Sequence, residues 1–147
     1  MSKIKSFRGK IDADKDDTVS LHTNNGAIGY KIKKLQVIGQ QPSAVNQEST
    51  LKIFTIPQTT VTSTIDFSDP SLLAVAFYET DSTATLQESQ TVIFDNMIFN
   101  QDVYITMKGT ASTAVNYYLE LEQFALDLSE NTVATLKDIR NIESSRI

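Results

Sequence analysis

Apolar and polar residues alternate most regularly in residues 115–126 (VNYYLELEQFAL). Val115, Tyr117, Leu119 and Leu121 fall on one parity, and Asn116, Tyr118, Glu120 and Glu122 on the other. A period of two places these sets on opposite faces of a β-strand, whereas a helix would scatter the apolar set around its circumference. The phase slips at Gln123, and Phe124 and Leu126 then become the apolar positions. Two readings follow: a β-bulge near Gln123 that reverses the facing of what comes after, or a strand that ends there with Phe124 plugging the core.

The same period recurs upstream. Residues 28–38 (IGYKIKKLQVI) predict a second long strand, with Ile28, Tyr30 and Ile32 opposite Lys31 and Lys33; the parity changes beyond Lys34 to Leu35 and Val37, which marks a bulge or twist point. Shorter strands are expected over 18–22, 51–56, 61–67, 72–80, 91–95, 97–99 and 101–108. Residues 72–80 (LLAVAFYET) are apolar on both parities and predict a strand buried on both faces. Asn25-Gly26 predicts a two-residue hairpin turn between 18–22 and 28–38. Ser68-Asp69-Pro70 and residues 109–113 read as turns, and residues 39–49 and 81–90 as polar loops. Residues 3–10 (KIKSFRGK) alternate poorly and are read as an arm, within residues 1–17, or as a lysine-protected edge strand.

One helix is expected, over residues 129–142. Asp127 and Glu130 have capping-box spacing, and Val133, Leu136, Ile139 and Ile142 recur every three residues. Its apolar side needs a partner, either the chain's own sandwich or a neighbouring subunit. About eight strands at 10–15-residue spacing, with no helical pattern between them, predict an all-β chain. The expected architecture is an antiparallel β-sandwich of jelly-roll type with one short C-terminal helix, forming a single domain over residues 1–147.

Composition adds constraints. A globule of 147 residues buries roughly 70% of its unfolded surface and needs no staples. The chain has no cysteine, which excludes disulfides and thiolate chemistry. The opening MSKIKSFRGK has no apolar h-region, so no secretory signal is expected, and no run reaches the ~18 apolar residues of a membrane span. Serine and threonine number 31 and Asn plus Gln 17, so the polar surface is mostly uncharged, which lowers the cost of burying it between subunits.

The net charge of −5 is unevenly spread: residues 1–40 carry +4, residues 41–136 carry −10 and residues 137–147 carry +1. Solvated faces explain this, as does a basic region that meets an acidic surface on a neighbour. Nucleic-acid binding is the weakest of the three readings, because the basic residues are few and lack aromatic interleaving beyond Phe7 and Tyr30.

No constellation for catalysis stands out, and no catalytic, metal or cofactor-binding residue is assigned. Residues 12–17 (DADKDD) begin like a calcium loop, but Asp17 and Thr23 stand where Gly and Glu are required, so a solvated acidic turn is the better reading. His22 is the only histidine, which rules out a multi-histidine site, and no base stands ready for the many hydroxyls. Glu120 and Glu122 lie on one wet strand face, not across a cleft. The expectation is a protein that is not an enzyme and uses no cofactor.

Two stretches, TVIFDNMIFNQDVYIT (91–106) and NYYLELEQFALDLSENTVATLKDIRN (116–141), resemble small virion proteins of marine tailed bacteriophages, and SLHTNNGAIGYKIKKLQVI (20–38) fits the same pattern. The resemblance implies a capsid accessory or decoration protein of β-sandwich fold. Such a protein would be made in the host bacterial cytoplasm and sit on the viral capsid surface. Its partners would be the major capsid protein and copies of itself, with no membrane contact. No residue role is carried over. The alternative is a tail- or fibre-type carbohydrate- or receptor-binding sandwich with Tyr118 and Tyr78 as stacking candidates.

Overall fold

The computed structural model describes residues 3–21, 27–43, 46–81, 87–94, 97–109 and 113–126. The helix expected over 129–142, His22 and the Asn25-Gly26 turn lie outside the described residues.

Eight strands form two antiparallel sheets. They are β1 (Lys3–Ile11), β2 (Lys15–Val19), β3 (Ile28–Gly39), β4 (Glu48–Phe54), β5 (Leu72–Thr80), β6 (Gln87–Ile93), β7 (Val103–Gly109) and β8 (Val115–Ala125). The smaller sheet has the order β1-β8-β3, and the larger β2-β7-β4-β5-β6. The inward parities of both interdigitate: Ile32, Leu35, Val37, Val115, Leu119 and Leu121 of the smaller sheet meet Leu51, Ile53, Ala74, Ala76, Ile105 and Met107 of the larger. Burial of this kind is worth roughly 1.5–3 kcal/mol per large aliphatic side chain.

The order is that of a jelly roll with one departure. A jelly roll behaves as one long hairpin rolled up, so that the first strand pairs with the eighth, the second with the seventh, the third with the sixth and the fourth with the fifth. Three of these pairings are present. The third-with-sixth pairing is not: β6 hydrogen-bonds to β5 over its whole length. Among the described residues after β5, only Phe99 returns to pair with β3 before β8, in an isolated bridge with Tyr30.

β8 is the central strand of the smaller sheet, flanked by β1 and β3, as its clean alternation requires. Its ladder with β1 reaches Gln123 and its register with β3 runs unbroken from Leu121 through Gln123 to Ala125, so the expected bulge is not there, and the strand does not end at Gln123. The irregularity lies on β3, between Ile32 and Lys34. That is the point where the β3 sequence changes parity; one extra residue at Lys33 brings Leu35 and Val37 back to the core face.

Three further expectations change. Residues 18–22 and 28–38 do not form a hairpin, because β2 belongs to the larger sheet and β3 to the smaller. Residues 61–67 alternate but enter no ladder. Residues 87–90, read as loop, begin β6. The poorly alternating 3–10 segment is an edge strand paired to β8 of its own chain. The β1–β2 corner turns at Asp14, whose φ of 64° suits a short polar residue and whose N–H reaches Met107 O at 2.8 Å.

Candidate interaction surface

The outer face of the smaller sheet is built from three strands in register. Arg8, Tyr118 and Gln36 form one cross-strand row, Lys10, Asn116 and Ile38 the next, and Ser6, Glu120 and Lys34 lie on the other side. All project away from the core because their neighbours on each strand are the buried set. The three strands carry seven Lys and Arg against Glu120 and Glu122, a balance of +5. Of these, Arg8, Lys10, Lys31 and Lys34 share the outer face with the two glutamates, whereas Lys3 and Lys5 fall on the opposite parity, across from Gln123 and Leu121. Lys31 pairs with Glu122 at 3.7 Å, whereas Lys33 and Lys34 make no ion pair among the described residues.

A shallow cavity of about 470 Å³ lies on this face, bordered by Arg8, Gln36, Ile38, Asn116, Tyr117 and Tyr118. The Tyr118 hydroxyl donates to Glu120 Oε2 at 2.7 Å, which steadies the ring along the strand and raises its pKa. Below the face, Gly9 lies against Tyr117: a Cβ there would stand 2.8 Å from the phenol oxygen. The missing side chain lets Tyr117 reach across the sandwich and donate to Asp17 Oδ2 at 3.1 Å. Burial first, and then the Asp17 charge, push the Tyr117 hydroxyl up to about 12.

The larger sheet presents a different outer face. Lys52, Phe54, Thr50, Val75 and Thr106 point outward yet are buried. Residues 55–71 cross over them, held by Lys52 Nζ, which donates to Thr64 O at 2.7 Å and Thr62 Oγ1 at 3.2 Å. Desolvation lowers the Lys52 pKa, partly offset by the Asp69 charge. At one end of this sheet Glu48, Glu79 and Glu88 stand directly opposite one another in register. Desolvation, a hydrogen bond that protonated Glu79 donates to Glu88, and the charges of Glu88 and Glu48 raise the Glu79 pKa.

The arrangement suits recognition by surface burial and charge. Among the described residues no group of His, Asp or Glu has the spacing to hold a metal ion, and no helix is long and apolar enough to cross a membrane. The stacking candidates separate: Tyr118 lies at the outer cavity, whereas Tyr78 is 3% exposed and points between the sheets. Arg8, Gln36 and Asn116 were not singled out in the sequence. They lie on three strands far apart in the chain, and only the register brings them to Tyr118.

No protein-family model matches the chain, and no curated protein matches it.

Proposed function

We propose that the protein is a structural virion component, a capsid accessory or decoration protein that acts through oligomeric surface contacts rather than chemistry. The observation that carries the reading is the outer face of the smaller sheet, which no strand among the described residues covers and where Arg8, Lys10, Lys31 and Lys34 outnumber Glu120 and Glu122 in a chain whose net charge is −5. Such a face suits an acidic patch repeated over a shell of identical subunits, where complementary potentials set orientation and on-rate. The resemblance to phage virion proteins supports the same reading. The partners are the major capsid protein and further copies of this chain.

The test is gradient fractionation of virus particles made by the source host, with the chain detected by peptide mass spectrometry. The chain should co-sediment with heads, and a variant with Arg8→Glu and Lys34→Glu should be lost from them in about 0.15 M salt, where exposed charges still act over roughly 8 Å. A chain found only free of particles overturns the proposal.

The cavity at Tyr118 favours a second reading, a tail- or fibre-type module that binds carbohydrate. An aromatic ring flanked by a guanidinium and two amides offers stacking and bidentate hydrogen bonds to a polyol. Recovery of the chain with tails, together with glycan-array binding that Tyr118→Ala abolishes, selects this reading; an array without hits rejects it.

A further inference from the structure

Among the described residues four strands border the two sheets: β1 and β3 the smaller, β2 and β6 the larger. A border strand presents a row of N–H and C=O groups to any other strand, and charged side chains along it discourage such pairing. β1 carries Lys3, Lys5, Arg8 and Lys10, β2 carries Lys15, Asp16 and Asp17, and β3 carries Lys31, Lys33 and Lys34 beside a bulge. β6 differs. Glu88 is its only charge, and residues 89–93 (SQTVI) have none.

Ladder parity identifies the β6 groups that face outward. Phe94 N–H donates to Leu73 O, so Val92, Gln90 and Glu88 turn their backbone groups toward β5, whereas Ile93, Thr91, Ser89 and Gln87 turn theirs away from it. No strand among the described residues pairs with this second set. Ser89 and Thr91 share register with the buried Tyr78 and Ala76, so they lie on the core-facing side of the larger sheet, yet both are exposed. Between them and β3 is a cavity of about 520 Å³ bordered by Leu35, Val37, Tyr78, Glu88, Ser89 and Thr91. β6 thus projects beyond β3, and a second larger sheet can meet its edge without the two smaller sheets colliding.

Self-complementarity selects the occupant. Laid antiparallel about Gln90, a second β6 places Ser89 opposite Thr91 of the second copy and Gln87 opposite its Ile93. All four residues turn their backbone outward, so each such pair exchanges two hydrogen bonds, and the Ser89 and Thr91 hydroxyls bond across the strands as well. Gln90 meets its own copy at the two-fold axis, amide against amide. Glu88 falls opposite Val92 of the second copy, a side chain 40% exposed. The two Glu88 residues are then four positions apart along the seam, about 14 Å, farther than the roughly 8 Å over which exposed charges act at physiological salt. A charged segment of another protein would find no counter-charge along residues 89–93. We infer that the outer edge of β6 is a homodimer seam, where two five-stranded sheets join into one continuous antiparallel sheet. The inference deepens the proposed reading, which names further copies of this chain as partners, and rests on that part of it alone.

The test follows the purified full chain over a range of concentrations, with sedimentation velocity for mass and NMR-detected amide hydrogen exchange for the seam. A dimer should form as concentration rises. The Ser89 and Thr91 amides, fast in the monomer, should gain protection with it, while those of Gln90 and Val92 stay slow throughout. Gln90→Lys sets two like charges at the axis, keeps the backbone bonds to β5, and should weaken the dimer about tenfold. Gln90→Glu should do the same, and an equimolar mixture of the two variants should restore association, because Lys then meets Glu. Thr91→Pro removes a pairing N–H at an edge position where no bond within the sheet is lost, and should also weaken the dimer about tenfold. Three outcomes overturn the inference: a chain that stays monomeric up to its solubility limit, a dimer indifferent to all three substitutions, or Ser89 and Thr91 amides already protected in the monomer, which means that the chain covers its own edge. A monomeric chain that still co-sediments with heads overturns the seam and leaves the particle reading standing; a dimer that responds to Gln90 but never enters particles does the reverse.

Discussion

The two sheets share one core but treat their outer faces differently. Among the described residues no segment crosses the outer face of the smaller, where Lys34 and Gln36 are exposed and Tyr118 is half-buried. The larger buries the corresponding positions beneath residues 55–71, so that Lys52 and Thr106 are as enclosed as core residues. Alternation along a strand thus states which side chains share a face, not whether that face is wet. A chain segment from elsewhere decides that, and here it turns one lysine into a buried clamp while others remain free for a partner.

The largest test of this comparison is in the core, where the sheets should respond alike. Leu119→Ala in the smaller sheet and Ile105→Ala in the larger, both fully buried, should each cost about 2–5 kcal/mol in urea unfolding. A much smaller loss for one of them would show that its sheet is not packed as described. The next test substitutes one residue type on the two outer faces. Lys52→Ala removes two hydrogen bonds and buried stem packing and should cost about 2 kcal/mol, whereas Lys34→Ala should stay within ~0.5 kcal/mol. Equal losses would mean that residues 55–71 do not cover the larger sheet.

Titration sharpens the contrast further. The Tyr117 hydroxyl keeps its proton in the fold up to about 12, whereas an unfolded tyrosine loses it near pH 10. The folded state therefore binds more protons in that window. The stabilisation is complete below about pH 10 and is lost as pH rises toward 12. Chemical denaturation at stepped alkaline pH should show this fall, and Tyr117→Phe should remove its share of it. Lys52 acts oppositely: its folded pKa is lowered, so stability rises as pH climbs through that value toward 10.5. Pairing Tyr117→Phe with Lys52→Met separates the two.

At the acid end, the raised Glu79 pKa means that the fold favours the protonated carboxyl, and stability falls as pH rises through its titration. Glu79→Gln should therefore raise the Tm at pH 7 and leave it nearly unchanged at pH 3. The smallest effect is expected for Lys31→Ala, which removes a partly exposed ion pair and should change stability by about 0.2–1 kcal/mol, less in high salt.

Much of the sandwich was legible in the chain. The alternation of residues 115–126 located β8 and its core face, the double-sided apolar run located β5, and the parity change after Lys34 located the β3 bulge. The slip at Gln123 misled, because partial burial at the sheet end lets the ladder continue without a bulge: Gln123, Phe124 and the neighbouring Glu122 are all half-buried there. Residues 61–67 misled for a related reason. Their alternation serves a crossing segment whose Thr62 and Thr64 meet Lys52, and no neighbouring backbone completes a ladder. The basic character of residues 1–40 was visible as a count. Its concentration on one sheet was not, since β1 and β3 are separated by acidic β2 and meet only through β8.

By itself the sequence determined the class of the fold, the facing of the long strands and the absence of cysteine chemistry, because side-chain period and residue type are local properties. Tertiary structure decided which strands became neighbours, which residues share the outer face of the smaller sheet and which outer face residues 55–71 cross. Those outcomes depend on hydrogen-bond partners and covering segments from distant parts of the chain, and a period of two carries no record of either.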